Sequence, residues 1–377
     1  MKIAVNVRFL LKNRLEGIGW VTYEVLRRMV VAHPEDEFIF FFDRPFDPDY
    51  VFGTNVTPIV LSPPARHPIL FVLWFEWSVA RALRRLKPDV FLSTDNFLTL
   101  RTDVPTVLML HDVSWTHPTS SVGGLVQMYY DFFMPRFLKK ADRIIAVSEF
   151  VKSDALRAYP FLPSEKIAVV YNACRAEFRP LSDFEKTATK AKYTEGVDFF
   201  VFVGAVHPRK NVHRLIAAFS LFKKQTNSVM KLVIVGRFAW QTGDVRAAFE
   251  TSDFQKDIIF TGYVPNEDVP LLVGAATAVT YVSLAEGFGI PILEAMQADV
   301  PVLTSNVTSM PEVAGDAALL VNPESVEDIA AALQRLAFDV DLRNNLLEKG
   351  RIQREKFSWD KTVATIYDNL VAASRQL

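Results

Sequence analysis

Residues 281–296 read YVSLAEGFGIPILEAM, and this stretch decides the fold. An apolar run ends in a loop holding Gly287 and Gly289, and Pro291 stands where a helix should start. Proline suits that position because its missing N–H would have no intrahelical partner there. The stretch therefore predicts a strand, a tight loop and a helix. Glycines let backbone approach a ligand closely. A helix N-terminus adds unpaired N–H groups and the positive end of a dipole, a combination that binds phosphate. Glu286 precedes the loop and Glu294 lies early in the helix. A carboxylate presents two acceptor oxygens, which suits the vicinal hydroxyls of a ribose or a hexose. Taken alone, the spacing also fits a plain turn with a surface glutamate on each side.

Upstream, VFVGAVHPRKN (201–211) repeats the order, with Arg209 and Lys210 just ahead of Asn211, the expected N-cap. Two cations at the C-terminal edge of a parallel strand stand where open α/β sheets bind ligands. Arginine gives a planar fork and lysine a point charge, which together neutralise a diphosphate. A solvated corner is the bland reading of such a pair, and two phosphate-type loops in one domain weigh against it.

The alternation continues outward. IAVNV (3–7), EFIFFF (37–42), DVFLS (89–93), TVLMLHD (106–112), RIIAVS (143–148) and KIAVVYN (166–172) are buried-strand runs, with helical patterns at 19–32, 71–86, 125–140 and 149–158 between them. A second series starts at FFVFVGAV (199–206) and runs through KLVIVG, DIIFTGYV, VPVLTS and AALLVN. Strand then helix, repeated, predicts α/β architecture with two Rossmann-like doubly wound domains facing a cleft. The expected boundaries are 1–175 and 198–358. The polar stretch 176–197 is read as a linker, and a C-terminal helix, 359–377, as packing back on the first domain.

Composition narrows the partners. The 377 residues carry 42 Lys plus Arg against 43 Asp plus Glu, which argues against a nucleic-acid binder held by bulk charge. The single cysteine, Cys174, allows no internal disulfide and fits a reducing compartment. Lys2, Arg8 and Lys12 interrupt the start, so it does not read as a signal peptide. The apolar run at 69–75 stops at Glu76, far short of a membrane span. A cytoplasmic protein, soluble or peripherally bound, is expected.

EGFGIPILEA, with its glutamates at 286 and 294, and GAVHPRKN together resemble the retaining nucleotide-sugar glycosyltransferases of family 4, over nearly the whole chain. The resemblance implies a GT-B fold whose second domain binds most of the donor. It implies that Arg209 and Lys210 contact the donor diphosphate and that Glu294 holds the nucleotide ribose. Glu286, with the backbone at Phe288, Gly289 and Ile290, would hold the transferred sugar and its phosphate. Gly204 belongs to the same loop set, and Tyr263 and Val264 would lie nearest the base. In the first domain the loop with Gly17 and Gly19 would face the donor phosphates, and His111 would lie close to the reacting centre. Asp112 would orient that imidazole or serve the acceptor. PRKN is similar to relatives that assemble bacterial surface polysaccharides, many from GDP-mannose. The implied reaction retains configuration by front-face attack, on a glycan or lipid-linked acceptor.

No metal or other cofactor is expected. The six histidines show no ligand spacing. Asp47-Pro48-Asp49 and Asp339-Val340-Asp341 do not follow strands at the ligand edge and read as chance strings. Two segments, 67–89 and 127–140, run from aromatic to basic residues, the pattern of helices that lie on an anionic membrane leaflet. Packing on the sheet is the simpler reading of both. The remaining alternatives are a nucleotide-sugar hydrolase or epimerase of the same fold, or a two-domain sugar-binding protein.

Overall fold

The computed structural model describes residues 1–12, 15–117, 123–238 and 242–375. Two compact units result, one of Met1–Asn172 with the segment from Ser358 onward, the other Ala173–Phe357.

The first unit is built on β1 (Lys2–Asn6), α1 (Gly17–Ala32), β2 (Glu37–Phe42) and β3 (Val56–Val60). Next, α2 (Pro68–Leu73) continues through a π-helical turn at Trp74–Val79 into α3 (Ala80–Leu86). Then come β4 (Val90–Ser93), β5 (Thr106–Leu110), α4 (Gly124–Lys140), β6 (Arg143–Ala146), α5 (Glu149–Ala158) and β7 (Ile167–Val169). The seven strands form one parallel sheet in the order β3-β2-β1-β4-β5-β6-β7. Central strands of such a sheet are covered on both faces, which is why Phe38 to Phe42 are all buried. Sequence reading missed β3, whose Pro58 breaks the strand pattern; an edge strand tolerates that missing donor. The C-terminal helix, Trp359–Ser374, packs on α1 and on β4, β5 and β6. It buries Trp359, Val363, Ile366, Leu370 and Ala373, a single stripe at helical spacing. Its Tyr367 hydroxyl donates to Asp36 at 2.7 Å and its ring stacks on His33. Residues 376 and 377 of the helix expected over 359–377 lie outside the described residues.

The second unit opens with α6 (Asp183–Thr194), inside the stretch read as a linker. This corrects that expectation. Ser182 and Glu185 form a capping box, and Tyr193 and Lys192 reach Asp268 at 2.6 and 2.9 Å. The helix buries Thr189 and Thr194 and no larger apolar side chain of its own, so it offers little apolar content from which to read a helix. There follow β8 (Phe199–Val203), α7 (Val212–Thr226), β9 (Lys231–Val235), α8 (Gly243–Glu250), β10 (Ile258–Gly262) and α9 (Asp268–Ala275). The series ends with β11 (Ala278–Tyr281), α10 (Ile290–Gln297), β12 (Val302–Ser305), α11 (Met310–Ala314), β13 (Ala318–Val321), α12 (Val326–Phe338) and α13 (Val340–Arg354). Its six strands are also parallel, ordered β10-β9-β8-β11-β12-β13. Each sheet reverses its direction of growth once, between β1 and β4 in the first and between β8 and β11 in the second. Open α/β sheets bind ligands outside the C-terminal ends of such strand pairs.

Candidate active site

The switch point of the second sheet brings the two quoted loops together. After β8, Pro208–Lys210 forms one 3-10 turn. From it Lys210 Nζ reaches Glu286 Oε1 at 2.7 Å and the Tyr281 hydroxyl at 2.6 Å. Arg209 donates to Glu286 Oε2 at 3.1 Å and to the Ala285 carbonyl at 2.7 Å. Burial pushes the Glu286 carboxyl up, but Arg209 and Lys210 outweigh it and hold the group at about 2. It is therefore ionised at neutral pH. His207, with Nδ1 accepting from the Arg209 N–H, is held below its ordinary value by burial and by these cations. Asn211 corrects its expected role: its side chain does not cap α7. It donates to the Val282 and Pro323 carbonyls instead, pinning the turn to the end of β11 and to the segment after β13.

The loop before α10 is held from below. The Ser309 hydroxyl lies 2.9 Å from the carbonyl oxygens of both Glu286 and Phe288, and the Glu286 N–H donates to Thr308 Oγ1. Gly289 caps α10 at φ +104°, a left-handed conformation that a side chain would strain. Ile290 starts the helix, with Pro291 in the first turn. Phe288 is buried, edge-on to Phe357. Gly204 directly follows β8 and donates to the Val235 carbonyl. Tyr263 is exposed and Val264 buried in the loop after β10.

Glu294 has a partner that sequence reading missed. Arg175 donates to its Oε1 through two nitrogens, at 3.0 and 3.3 Å, and both residues are buried. Burial raises the Glu294 carboxyl above its usual range, and Arg175 opposes the shift. Arg175 takes Oε1 alone, and among the described residues Oε2 accepts no hydrogen bond. The only signal for Arg175 was its type, a lone cation beside Cys174 in a polar run.

In the first unit, Gly17 is exposed at the start of α1, and Gly19 is packed so closely that a Cβ would lie 2.7 Å from the Phe9 carbonyl. His111 follows β5 and is buried. Its Nε2 lies 2.8 Å from the Thr94 carbonyl, which can only accept, so Nε2 carries the proton and Nδ1 the lone pair. Burial depresses its basicity. Asp112 does not orient this ring, contrary to one of its two expected roles. Its Oδ1 accepts from the N–H and hydroxyl of Ser114, a local turn that a short carboxylate makes readily. Asp47 and Asp339, from the two rejected strings, each cap a helical segment. One trio, His33, Glu35 and Asp36, brings possible ligand atoms together, but Asp36 spends its oxygens on the Met1 amine and Tyr367.

The two aromatic-to-basic segments are surface helices in mutual contact. Ile69, Leu73 and Trp77 are exposed at four-residue spacing, and Arg81, Arg84 and Arg85 follow. On α4, Leu125, Met128 and Phe132 are exposed, followed by Arg136, whose guanidinium lies 3.7 Å over the Phe132 ring, and by Lys139. No described helix is long and apolar enough to cross a membrane.

Two doubly wound parallel-sheet units, one with a buried carboxylate held by two cations between its ligand-edge loops, are the architecture of the GT-B glycosyltransferases. The family Glycosyl transferases group 1 matches residues 183–353, and Glycosyltransferase Family 4 matches residues 15–178. The O-antigen chain mannosyltransferase B of Escherichia coli is 31% identical over 94% of this chain and 96% of its own. The O-antigen chain mannosyltransferase RfbU of Salmonella typhimurium is 29% identical over 70% of each. The Anabaena protein HepE, solved with UDP and glucose, superposes with a TM-score of 0.76 at 16% identity, covering 98% of this chain and 99% of its own. The chain belongs to the family 4, group 1 glycosyltransferases.

Proposed function

We propose that this glycosyltransferase moves mannose from GDP-mannose to a lipid-linked or growing glycan acceptor in bacterial surface polysaccharide synthesis, with retention and without a metal. The buried Glu286 carboxylate with its partly exposed partners Arg209 and Lys210, at the switch point of the second sheet, carries the reading. The likeness to O-antigen mannosyltransferases supports the sugar. In the reaction the bond from the anomeric carbon to the diphosphate oxygen breaks as an acceptor hydroxyl oxygen bonds that carbon from the same face. The hydroxyl proton passes to the departing diphosphate, which leaves as GDP. Negative charge grows on phosphate, where Arg209, Lys210 and the positive end of α10 stabilise it as preorganised electrostatics. Glu294 Oε2 accepts from the ribose, and Tyr263 and Val264 border the base. The first unit takes the acceptor.

A thermal-shift comparison of GDP, UDP, dTDP and ADP tests this, with GDP expected to stabilise most. With GDP-mannose, turnover should persist in EDTA and the product should keep the donor's anomeric configuration. Another preferred nucleotide would sink the donor assignment, and loss of turnover in EDTA the metal-free mechanism.

We further propose that the protein works against the anionic inner leaflet of the plasma membrane through the exposed faces of α2–α3 and α4. Apolar side chains enter the interface there and arginines meet lipid phosphates. Flotation with anionic vesicles at low salt should carry the wild type upward and leave Trp77→Ser/Phe132→Ser behind. A wild type that stays at the bottom rejects membrane contact and leaves the transferase chemistry standing.

A further inference from the structure

The switch point of the first sheet also carries a charged pair, which no role above uses. Arg8 follows β1 and Asp95 follows β4. Arg8 Nε donates to Asp95 Oδ2 at 2.6 Å, with side chains only 5% and 1% exposed. Asp95 is fixed in turn, its Oδ1 accepting from the Phe97 N–H at 2.9 Å. The layout parallels the second sheet, where cations follow β8 and Glu286 follows β11. The loop with Asp95 also holds His111: Thr94 meets its ring, and Asn96 Oδ1 accepts its backbone N–H at 2.8 Å.

Aromatic rings collar the arginine. Its guanidinium carbon lies 4.4 Å from the centre of Phe97, 4.7 Å from Phe9, 5.1 Å from Phe71 and 5.5 Å from Phe75. Tyr129 packs on Phe71 and Phe97, and Tyr130 stacks on Trp115 at 4.6 Å. Among the described residues, Asp95 is the only hydrogen-bond partner of the guanidinium, and the buried Tyr129 hydroxyl has none. Leaving a buried polar group unpaired costs about 1–3 kcal/mol; the Arg8 amino groups, which bond no described residue, are not among the sealed atoms and so stand open to a ligand. Phe9, Phe71 and Tyr130 are partly exposed, so the collar is open on one side. The ion pair cancels its own charge, which leaves N–H donors beside aromatic faces without net attraction for an anion. Hydroxyl oxygens and the C–H face of a sugar ring match that chemistry.

We propose that the C-terminal ends of β1 and β4 form a second carbohydrate subsite. There the Arg8 amino groups bond the hydroxyls of a neutral pyranose of the acceptor, and Tyr130 supports its C–H face. This rests on the transferase reading and names the acceptor-side residues. Saturation-transfer NMR on the full chain with methyl α-D-mannopyranoside, in the presence of GDP, tests it. The wild type should show saturable transfer at millimolar glycoside. Arg8→Lys keeps the charge that Asp95 needs but loses the fork, and Tyr130→Leu keeps the packing but loses the ring. Each should weaken binding at least tenfold while the GDP thermal shift stays at the wild-type value. Tyr130→Leu, on the more exposed side, decides the matter if Arg8→Lys does not fold. The subsite is overturned if a GDP-binding wild type gives no transfer to the glycoside, if the folded variants bind it as the wild type does, or if inorganic phosphate displaces it. A wild type that ignores GDP sinks the donor assignment, and the glycoside result still decides the subsite.

Discussion

Lys210→Ala is expected to lower turnover roughly 10²–10³-fold, the loss typical of removing one preorganised donor from a site of developing negative charge. The effect should fall on kcat more than on donor KM, because charge on the departing diphosphate grows mainly in the transition state. The fold should survive. Glu286 keeps Arg209 at 3.1 Å, so no buried carboxylate is orphaned, and the Lys210 side chain is already 16% exposed. With one cation gone the Glu286 carboxyl should rise from about 2 toward its ordinary range while remaining ionised at neutral pH. Steady-state kinetics beside a thermal melt check both halves of the expectation. Turnover near the wild-type level in a folded protein would remove Lys210, and with it the proposed diphosphate site, from the reaction.

Glu294→Ala is expected to act on stability and donor binding together. It removes the buried carboxylate that Arg175 bonds through two nitrogens, and breaking such a pair costs about 3–5 kcal/mol. In a unit of this size that lowers the melting temperature by roughly 10 °C. Donor KM should rise about tenfold or more, because a charged acceptor to the ribose is worth about 1.5–3 kcal/mol. The double change Arg175→Met/Glu294→Leu separates the two effects. Replacing both charges with apolar groups should recover most of the stability, while the donor KM stays high. A donor KM that returns to wild type along with the melting temperature would show that Glu294 serves only the fold.

Most of the fold could be read from the chain because parallel strands are buried on both faces and announce themselves as apolar runs, as EFIFFF and FFVFVGAV do. The exceptions have physical causes. β3 carries Pro58, tolerable only at an edge, and α6 is too polar to announce itself as a packed helix. Its one signal was the Ser182–Glu185 capping box, passed over because the surrounding run is so polar. At the candidate site, Arg209, Lys210 and Glu286 were legible since each adjoins a glycine loop at the end of a strand. The partners Arg175 and Tyr281 were not, because they come from other segments and pairing across 119 and 71 residues leaves no local mark. Asp112 was misjudged for the opposite reason. A sequence neighbour of His111 suggested itself as the group orienting it, yet a carbonyl from the β4 loop reaches the ring and the carboxylate turns back on Ser114.

The C-terminal helix has a consequence for biogenesis. Residues 359–374 complete the first unit but leave the ribosome only after the whole of 173–357. Domains generally fold as they emerge, N-terminal first. Here that order is inverted: the second unit has its entire chain available while its predecessor still lacks the stripe of Trp359, Val363, Ile366 and Leu370. Until that helix emerges, the apolar surfaces of α1 and of the strands beneath it stay uncovered. The nascent chain is therefore most prone to aggregation before this helix emerges, and a frameshift within the helix harms the unit translated first.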